Sequence, residues 1–385
     1  MNGVRIAGVA RTAYGRFPER GFAELARTVL ADCVRDAGAD HGDIGAVFFA
    51  NAGQGAVEGQ HTIRGQVALR GTEVMGVPMV NVENACASGA TAFHLAAQAI
   101  ASGQVEVALA IGVERLSAAD RETAGKLFDG GIDVAHRDQD LARLGVGPGE
   151  GTVFMSIYAA LADRYGLDQK RLAAVTSKNR GHAALNPLAT YRTPLTVAEV
   201  RAARVIAAPL TKPMCAPIGD GAAAVLLCGG RSRLADGRAV RVRASALASA
   251  TDSDGDHISR RVARIAYAQA GIGPEDVSVA EVHDATAVGE ILQTEFLGLA
   301  DADAAARGDT ALGGRLPVNT SGGLECNGHP IGATGLGQLY ELVTQLRGAA
   351  GPRQVEGARI GLAENGGGFL GVEEAAAAIT ILEAP

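Results

Sequence analysis

The sequence predicts an α/β protein with two core-bearing halves. The chain has 385 residues, more than one small domain needs, and short apolar segments alternate with longer segments of helical periodicity. Hydrophobic residues make up 47% of the chain and charged residues 20%, which is typical of a folded globular protein. Glycine, with 52 residues, is about twice as frequent as average, so tight turns and close backbone approaches are expected.

Nine segments rich in Val, Ile, Leu and Ala are predicted to be strands. They are almost continuously apolar, as are strands that are covered on both faces of a sheet. They are Val4–Val9, Ala46–Ala50, Met79–Val82, Val105–Gly112, Ala222–Leu227, Val240–Leu247, Val277–His283, Arg359–Ala363 and Ala377–Leu382. Helical periodicity predicts helices at Ala23–Ala37, Ser88–Ala101, Met155–Tyr165, Ile258–Ala270 and Thr334–Arg347.

Two segments of the chain resemble each other and predict duplicated halves. Cys86 begins a Cys-Ala-Ser-Gly-Ala-Thr segment that opens an apolar helix and leads to a strand. His329 begins a His-Pro-Ile-Gly-Ala-Thr-Gly segment that does the same in the second part of the chain. Such internal repetition is typical of two copies of one structural unit.

The boundary between the halves is predicted at the turn near Gly230, which gives an N-terminal half at 1–230 and a C-terminal half at 231–385. Residues 114–211 are richer in charge, Gly and Pro and break the alternation of strands. We interpret them as a loop domain inserted in the first half, over the face where the strands end.

Charge and cysteine content exclude several classes of function. The net charge is −7 and no run of five Lys or Arg residues occurs, so a nucleic-acid partner is not expected. The apolar runs, such as 222–228 and 375–382, are too short to span a membrane, and the first residues lack the apolar core of a signal peptide. The five cysteines contain no CxxC pair, so neither a disulfide framework nor a metal site is indicated, and a cytoplasmic location is predicted.

Cys86 is the candidate nucleophile. A strand is predicted to end shortly before it and a helix to begin two residues after it, with small residues on both sides. The positive end of that helix is expected to lower the pKa of the thiol and favour the thiolate. A buried structural cysteine is the alternative, since cysteine is often fully buried. Cys33 and Cys228 lie within helix and strand patterns and are interpreted as core thiols.

Two histidines and a glycine run are the other candidates. His329 lies on a glycine-rich turn, where an imidazole can polarise a thioester carbonyl or accept a thiol proton. His283 follows a predicted strand, at the sheet edge where α/β proteins bind ligands, although a core or helix-capping histidine is equally compatible. Residues 364–368, Glu-Asn-Gly-Gly-Gly, also follow a strand and form either an anion hole or a plain turn.

Taken together, these segments resemble the thiolase superfamily. NVENACASGA at 81–90 matches its nucleophile motif, and SGGLECNGHPIGATG at 321–335 matches its GHPxGATG element. Three further segments are similar to the sterol-carrier-protein or lipid-transfer type of thiolase: 177–189, 209–227 and 281–287. The resemblance covers essentially the whole chain and implies the thiolase fold, with two duplicated α/β halves in a five-layer arrangement and a loop domain inserted in the first half.

The resemblance also implies an activity and roles for the residues. Cys86 would attack an acyl-CoA thioester and carry the acyl group, while His329 would activate Cys86 and then help to hold the enolate oxygen of the second substrate. His283 stands where most thiolases have an asparagine that holds a water. The backbone N–H groups of Cys86 and Gly366 would form a second oxyanion hole. The implied protein is an acyltransferase of Claisen type, with a coenzyme A thioester as substrate and neither a metal nor a covalently bound cofactor.

The chain departs from the family pattern where the α-carbon proton is transferred. Most thiolases carry a second cysteine in a Cys-x-Gly motif, and here Glu364 occupies that position. The sterol-carrier type usually has a cysteine after His-Asp, and here Ala285 stands there. A buried Glu364 with a raised pKa could replace the cysteine, or Cys326 could move in. Alternatively no base is needed, because the Cys-His-His set resembles that of decarboxylating β-ketoacyl synthases.

Other functions and partners stay open at this stage. Relatives of the lipid-transfer type include retro-aldol lyases that work beside a small OB-fold partner, and a catalytically silent subunit is a further alternative. The resemblance implies a homodimer, or a homotetramer formed through residues 114–211. Degradative and biosynthetic directions are both compatible with the sequence.

Overall fold

The computed structural model describes residues 1, 3–146, 153–251 and 255–385. In this part of the chain the strands are β1 (Val4–Arg11), β2 (Ala46–Ala50), β3 (Met79–Val82), β4 (Val107–Arg115), β5 (Val205–Ala207), β6 (Leu210–Thr211), β7 (Asp220–Gly229), β8 (Val240–Ser249), β9 (Val279–Glu281), β10 (Ile360–Gly367) and β11 (Ala376–Glu383). All nine predicted strands are present, with ends shifted by a few residues. The additional strands, β5 and β6, form a small separate pair.

The helices surround and separate the strands. They are α1 (Phe22–Ala37), α2 (Gln54–Glu58), α3 (Arg64–Ala68), α4 (Ser88–Ala101), α5 (Arg121–Asp129), α6 (Arg137–Arg143), α7 (Val153–Arg164), α8 (Gln169–Ala184), α9 (Val197–Ala202), α10 (Ile258–Ala270), α11 (Ala287–Phe296), α12 (Ala304–Arg307), α13 (Gly323–Asn327) and α14 (Thr334–Leu346). Each of the five predicted helices has its counterpart among them. Among the described residues, no helix combines the length and apolarity needed to cross a bilayer.

The main sheet repeats one strand pattern in its two parts. Its order is β3-β2-β4-β7-β1-β8-β11-β10-β9, and β1 and β8 are joined by only two residue pairs. In the first part β2 is parallel to β4, and β4, β7 and β1 are successively antiparallel. In the second part β9 is parallel to β10, and β10, β11 and β8 are successively antiparallel. The duplication expected from the sequence is therefore present in the topology.

The apolar faces of the strands produce five layers. Helix α1 packs on the outer face of the first sheet part, through a cluster that contains Phe22, Leu25 and Phe49. Helices α4 and α14 lie between the two sheet parts, where Phe93 and Leu339 share one core. Helix α10 covers the outer face of the second sheet part. The predicted five-layer α/β arrangement is thus confirmed.

The segment predicted as an inserted loop domain, 114–211, is largely helical. It contains α5 to α9 and the β5–β6 pair, and 147–152 within it lie outside the described residues. Its helices α7 and α8 pack against α11 of the second half, through a cluster that includes Ile157, Leu172 and Ile291. The proposed boundaries at 114, 211 and 230 stay predictions.

The two halves meet through glycine backbones at the centre of the molecule. A Cβ on Gly112 in β4 would lie 2.1 Å from the carbonyl oxygen of Gly332, and one on Gly89 would lie 2.8 Å from the same oxygen. A Cβ on Gly335 would lie 2.7 Å from the backbone nitrogen of Ala90. Since real Cβ atoms do not approach so closely, this seam needs glycine. The seam brings the start of α14, which follows His329, against the start of α4, which follows Cys86.

Replacing Gly112 by alanine should therefore destabilise the protein. The new methyl group would meet main-chain atoms that cannot rotate away, so we expect the free energy of unfolding to fall by about 1–3 kcal/mol or more. Urea unfolding measures this change. The control is Gly181→Ala on the exposed side of α8, where a Cβ meets no atom within 4 Å and should stabilise by roughly 0.5–1 kcal/mol. If Gly112→Ala and the wild type had the same free energy of unfolding, the close contact would be contradicted.

Candidate active site

Cys86 lies on a tight turn between β3 and α4. Ala85 before it has a φ of 47°, a conformation that residues with a side chain adopt at a cost. Hydrogen bonds hold this turn: the Ala85 N–H donates to Glu83 Oε1 at 2.6 Å, and the Ser88 hydroxyl donates to the Ala85 carbonyl at 2.6 Å. The Asn84 N–H donates to the Ser88 hydroxyl at 2.8 Å. The turn presents the thiol of Cys86 to a cavity between the two halves.

The three candidate residues from distant parts of the chain converge on one point. His329 Nε2 lies 3.1 Å from Cys86 Sγ, within hydrogen-bond distance for sulfur. The rings of His283 and His329 are 5.2 Å apart at an interplanar angle of 69°. One ligand atom each of Cys86, His283 and His329 all lie within 4.8 Å of one another. The backbone N–H of His329 donates to the Pro217 carbonyl at 2.9 Å, which fixes the turn that carries the imidazole.

The orientation of His283 depends on two residues at the end of β10. Its backbone N–H donates to Glu364 Oε2 at 3.0 Å, and its Nδ1 lies 3.0 Å from the side-chain nitrogen of Asn365. With the amide of Asn365 donating, Nδ1 is an acceptor and the ring proton of neutral His283 lies on Nε2. That N–H is then available to a substrate oxygen. The sequence does not indicate this role of Asn365, because nothing local marks a contact with a residue 82 positions away.

The predicted lowering of the Cys86 pKa is wrong. Burial raises the pKa of this thiol to about 12, and the nearby carboxylates of Glu114 and Glu83 add to the rise. Hydrogen bonds from the backbone N–H groups of Gly368 and of Cys86 itself act in the opposite direction without outweighing it. The helix start at Ser88 is present as predicted, but removal of the thiolate from water costs more than the helix terminus returns.

Both histidines are neutral in this environment. Burial lowers the pKa of His329 well below its ordinary value, and the neighbouring His283 lowers it further. Burial likewise lowers the pKa of His283 to about 4. The resting state is therefore a thiol beside neutral imidazoles. His329 Nε2 can accept the proton of Cys86 as the sulfur attacks a carbonyl carbon, which is general-base activation of a nucleophile.

Glu364 is fully buried beneath the site. Burial raises its pKa well above the ordinary value, and the charge of Glu374 adds to the rise. Its carboxyl group contacts the backbone of His283, and the residue does not line the cavity. The proton-transfer role expected for it stays a prediction, whereas its contact with His283 gives it a positioning role in the structure.

Glu374, a carboxylate that no motif of the sequence marks, lines the cavity. Its Oε1 accepts a hydrogen bond from the Gln293 amide at 2.8 Å, and its Oε2 lies 3.2 Å from His257 Nε2 in an ion-pair contact. Burial raises the pKa of Glu374, but the charge and hydrogen bond of His257 outweigh this, and the net shift is downward. Glu374 is therefore ionised at neutral pH.

Two other cysteines differ sharply in their position. Cys326, an alternative for the missing second cysteine, is fully buried in α13 against Ala183 and Ala189 and does not line the cavity. Cys215 does line the cavity, and burial raises its pKa to about 12. It pairs with Thr286 in an isolated bridge, and the next residue donates its N–H to the carbonyl of Ala285 at 3.0 Å. A thiol thus stands beside the position where the family branch usually carries one.

The cavity in front of Cys86 has a volume of about 540 Å³. Most of its wall is apolar, with contributions from α5, α7, the loop after β6 and the C-terminal glycine turn: Phe128, Phe154, Met155, Tyr158, Ile206, Pro213, Pro217 and Phe369. Three cations also line it, of which Arg204 and Lys212 are exposed and Arg180 is buried. An apolar chamber with exposed cations suits an acyl chain with a phosphate-bearing carrier.

The C-terminal glycines lie against the turn of Cys86. A Cβ on Gly367 would lie 2.3 Å from the Asn84 carbonyl oxygen, so this approach requires glycine. Gly366, the predicted oxyanion donor, lines the cavity and pairs with Ala377 in the β10–β11 ladder. Within this glycine run, the backbone N–H that acts on the Cys86 thiol belongs to Gly368. The anion-binding role of Gly366 stays a prediction.

Sulfur and two imidazoles are also a possible zinc ligand set. In a tetrahedral zinc site, bonds of about 2.3 Å to sulfur and 2.0 Å to nitrogen place the two ligand atoms roughly 3.5 Å apart. The distance from Cys86 Sγ to His329 Nε2 is 3.1 Å, which is shorter and matches a hydrogen bond. The geometry therefore favours a nucleophile–base pair.

The fold repeats one α/β unit twice, and Cys86 and His329 meet between the two copies. Family models match nearly the whole chain: "Thiolase, N-terminal domain" matches residues 4–193 and "Thiolase C-terminal domain-like" matches 239–383. The chain belongs to the thiolase family. The resemblance and the fold predicted from the sequence are both confirmed.

Curated relatives are similar over nearly the full chain. An acetyl-CoA acetyltransferase from Methanothermobacter thermautotrophicus is 36% identical, covering 96% of this chain and 97% of the relative. The benzoylsuccinyl-CoA thiolase subunit BbsB from Thauera aromatica is 34% identical, covering 92% and 91%. Sterol carrier protein 2 from Gallus gallus is 31% identical, covering 94% of this chain and 69% of the relative. These matches support an acyltransferase at the level of the family.

A solved structure has the same fold. A chain of the "Ltp2-ChsH2(DUF35) aldolase" superposes with a TM-score of 0.81 at 22% sequence identity, covering 99% of this chain and 98% of that chain. The agreement confirms the architecture of the whole chain, including the segment between the two matched family domains.

The pKa of Cys86 gives a testable expectation. A thiol with a pKa of about 12 stays protonated below about pH 11, so no thiolate should form at this residue between about pH 6 and pH 9. The ultraviolet absorbance of the thiolate measures this as the difference between wild type and Cys86→Ala. A titration step with a midpoint below about pH 8, abolished by His329→Ala, would indicate a thiolate–imidazolium pair and contradict the neutral resting state.

Proposed function

We propose that the protein is a thiolase-like acyltransferase that acts on acyl-CoA thioesters through an acyl-Cys86 intermediate. The observation that carries the proposal is the 3.1 Å contact between Cys86 Sγ and His329 Nε2 at the wall of an apolar cavity. In the first half-reaction the thiol proton moves to Nε2 while sulfur attacks the thioester carbonyl carbon. The tetrahedral intermediate then releases CoA sulfur, which takes the proton back from His329.

Backbone N–H groups at the cavity wall are suited to the oxyanion of this intermediate. The carbonyl oxygen becomes negative as sulfur adds, and fixed donors in a water-poor site stabilise such charge. The Cys86 N–H at the start of the helix turn and the glycine run 366–368 face this region. Losing one such donor typically costs about 2.7–4 kcal/mol of barrier.

The two histidines are suited to the second half-reaction, in which a C–C bond forms or breaks. The enolate oxygen of the second substrate would accept a hydrogen bond from the Nε2–H of neutral His283, while Nε2 of His329, which has passed its proton to CoA, still faces the sulfur of Cys86. The acyl carbon then moves from Cys86 to the α-carbon of that enolate. The sulfur leaves with its electron pair and takes up the proton that the α-carbon released or, after decarboxylation, a proton from solvent. Decarboxylation of the second substrate would supply the same enolate without a base. Second substrates that lose a proton and second substrates that lose carbon dioxide therefore both fit this arrangement.

Acylation of Cys86 is directly measurable. Intact mass after incubation with a panel of acyl-CoA thioesters should increase by one acyl group in the wild type and stay unchanged in Cys86→Ala. Cys215→Ser, which removes the other cavity thiol, serves as the control and should still acylate. An adduct that persists in Cys86→Ala, or no adduct from any donor, would sink the covalent mechanism.

Two groups at the cavity wall are candidates for the α-carbon proton. Cys215 occupies the neighbourhood of Ala285 and carries a proton at neutral pH, and Glu374 is ionised and can accept one. Cys215 could therefore donate a proton to the α-carbon, and Glu374 could accept a proton from it. Both differ from Glu364, which is buried behind His283.

Hydrogen exchange at the α-carbon of acetyl-CoA in deuterated buffer tests these candidates. We expect Cys215→Ser or Glu374→Gln to slow exchange by at least about tenfold, since positioned acid–base groups contribute about 10²–10⁴-fold. Whichever of the two variants slows the exchange should still be acylated at Cys86 by acetyl-CoA, because it lacks only the group that carries the α-carbon proton. Unchanged exchange in both variants would favour decarboxylation as the source of the enolate.

A partner-dependent lyase is the second candidate function. The solved structure that matches this fold is a complex with a DUF35 protein and is an aldolase by its title, and one similar relative is described as a subunit. The absence of both family cysteines at positions 364 and 285 also fits C–C cleavage without acyl transfer. A lyase would release an aldehyde or ketone without an acyl-Cys86 adduct. Homodimer or homotetramer formation stays a prediction.

A further inference from the structure

Arg180 is a buried cation without a counter-ion in the described part of the chain. The residue lies on α8 with 8% of its surface exposed, and it lines the cavity that contains Cys86. Its Nε has no hydrogen-bond partner, and no carboxylate of the described residues forms an ion pair with it. Its side chain stacks on the ring of Tyr191, with the guanidinium carbon 4.7 Å from the ring centroid.

Among the described residues, other buried cations have either a carboxylate or oxygen acceptors for their N–H groups. Lys178, two residues earlier on α8, contacts Glu290 at 2.5 Å, and Arg353 contacts Glu341 at 2.9 Å. Arg11 has no carboxylate partner but donates hydrogen bonds to the carbonyls of Thr12 and Leu188 and to Asn327 Oδ1. Burial of an unpaired charge is costly, so such a group normally has a partner. Arg180 is different because its open side faces the cavity. The missing counter-ion is therefore expected to arrive with the substrate.

The nature of that counter-ion follows from where Arg180 lies. The phosphates of coenzyme A carry several charges and remain hydrated, and the exposed cations Arg204 and Lys212 line the same cavity for them. Arg180 is instead buried in the wall of a cavity whose lining is largely apolar, and its guanidinium lies over the ring of Tyr191. A guanidinium forms two parallel hydrogen bonds with a carboxylate, and its stacking on an aromatic ring fixes the plane of that fork.

We propose that Arg180 binds a carboxylate on the acyl group, so that the protein prefers CoA thioesters of dicarboxylic acids over those of plain fatty acids. This inference rests on the proposed function, because it assigns the substrate class of the same site. Glu374, the carboxylate that also lines the cavity, contacts His257 and so does not supply the counter-ion. The preference would come from charge-assisted hydrogen bonds between Arg180 and the carboxylate of the acyl group, which a plain fatty acyl group cannot form.

Equilibrium binding to the Cys86→Ala protein tests the inference without depending on acylation. The probes are matched pairs, succinyl-CoA with butyryl-CoA and glutaryl-CoA with valeryl-CoA. We expect the carboxylated member of at least one pair to bind at least tenfold more tightly. Arg180→Gln should remove this preference while leaving the affinity for the neutral member within about twofold, and Arg180→Lys should keep part of it.

The control variant is Arg204→Gln. It should weaken the binding of both members of a pair equally, because Arg204 is expected to act on the coenzyme A phosphates, which both members share. An equal loss of both members in Arg180→Gln would place Arg180 on the phosphates of coenzyme A and overturn the proposal. No preference in the parent protein would overturn it as well. Thermal unfolding of each variant checks that the fold is kept, and Arg180→Met provides a second substitution of similar length.

Acylation in a protein that retains Cys86 separates this inference from the proposed function. If butyryl-CoA and succinyl-CoA acylate Cys86 equally, the proposed acyltransferase activity is supported and the proposed preference for dicarboxylic acyl groups is contradicted. If succinyl-CoA binds preferentially through Arg180 and no thioester ever acylates Cys86, the substrate class stands and the covalent mechanism fails. The two failures are therefore distinguishable.

Discussion

The structure depends on a direct contact between backbones where its two halves meet. A Cβ on Gly112 would lie 2.1 Å from the carbonyl oxygen of Gly332, and a Cβ on Gly332 would lie 3.0 Å from the Cα of Asn51 in the first half. Glu114 reinforces this contact, because its carboxylate accepts hydrogen bonds from the N–H groups of Ala52 and Gly53 in the first half and of Gly332 in the second. Cys86 and His329, the proposed nucleophile and base, belong to different halves, so their hydrogen-bond distance is a property of the seam and not of either half alone.

Burial determines the chemistry that this contact makes possible. It raises the pKa of Cys86 to about 12 and lowers the pKa of His283 to about 4, so that the site rests without charge. In the proposed reaction, charge develops only when a substrate carbonyl receives the sulfur, and backbone N–H groups at the cavity wall would stabilise the new oxyanion. Arg180, a buried cation at the cavity wall that no carboxylate of the described residues pairs with, is available to the substrate.

The sequence predicts the fold and selects three residues that the structure brings together, Cys86, His283 and His329, because their signals are local. Continuous apolar runs mark strands covered on both faces, and Cys86 and His329 lie in motifs whose glycines mark tight turns. The pKa of Cys86 was predicted in the wrong direction because it depends on enclosure by distant segments. The roles of Asn365 and Glu374 could not be predicted for the same reason. Asn365 contacts His283 and Glu374 lines the cavity, and no spacing in the chain encodes those positions.

The glycine seam also limits how this enzyme can diversify. Side chains usually allow gradual adjustment, since a methylene can be added or removed and its neighbours can repack. Atoms of the main chain at the seam offer no such adjustment, so the geometry between sulfur and imidazole can be inherited or lost but hardly tuned. The wall built by α5, α7 and α8 has the opposite character, because its side chains can change without moving the seam. New substrates should therefore be acquired on that wall, while the reacting pair stays constant.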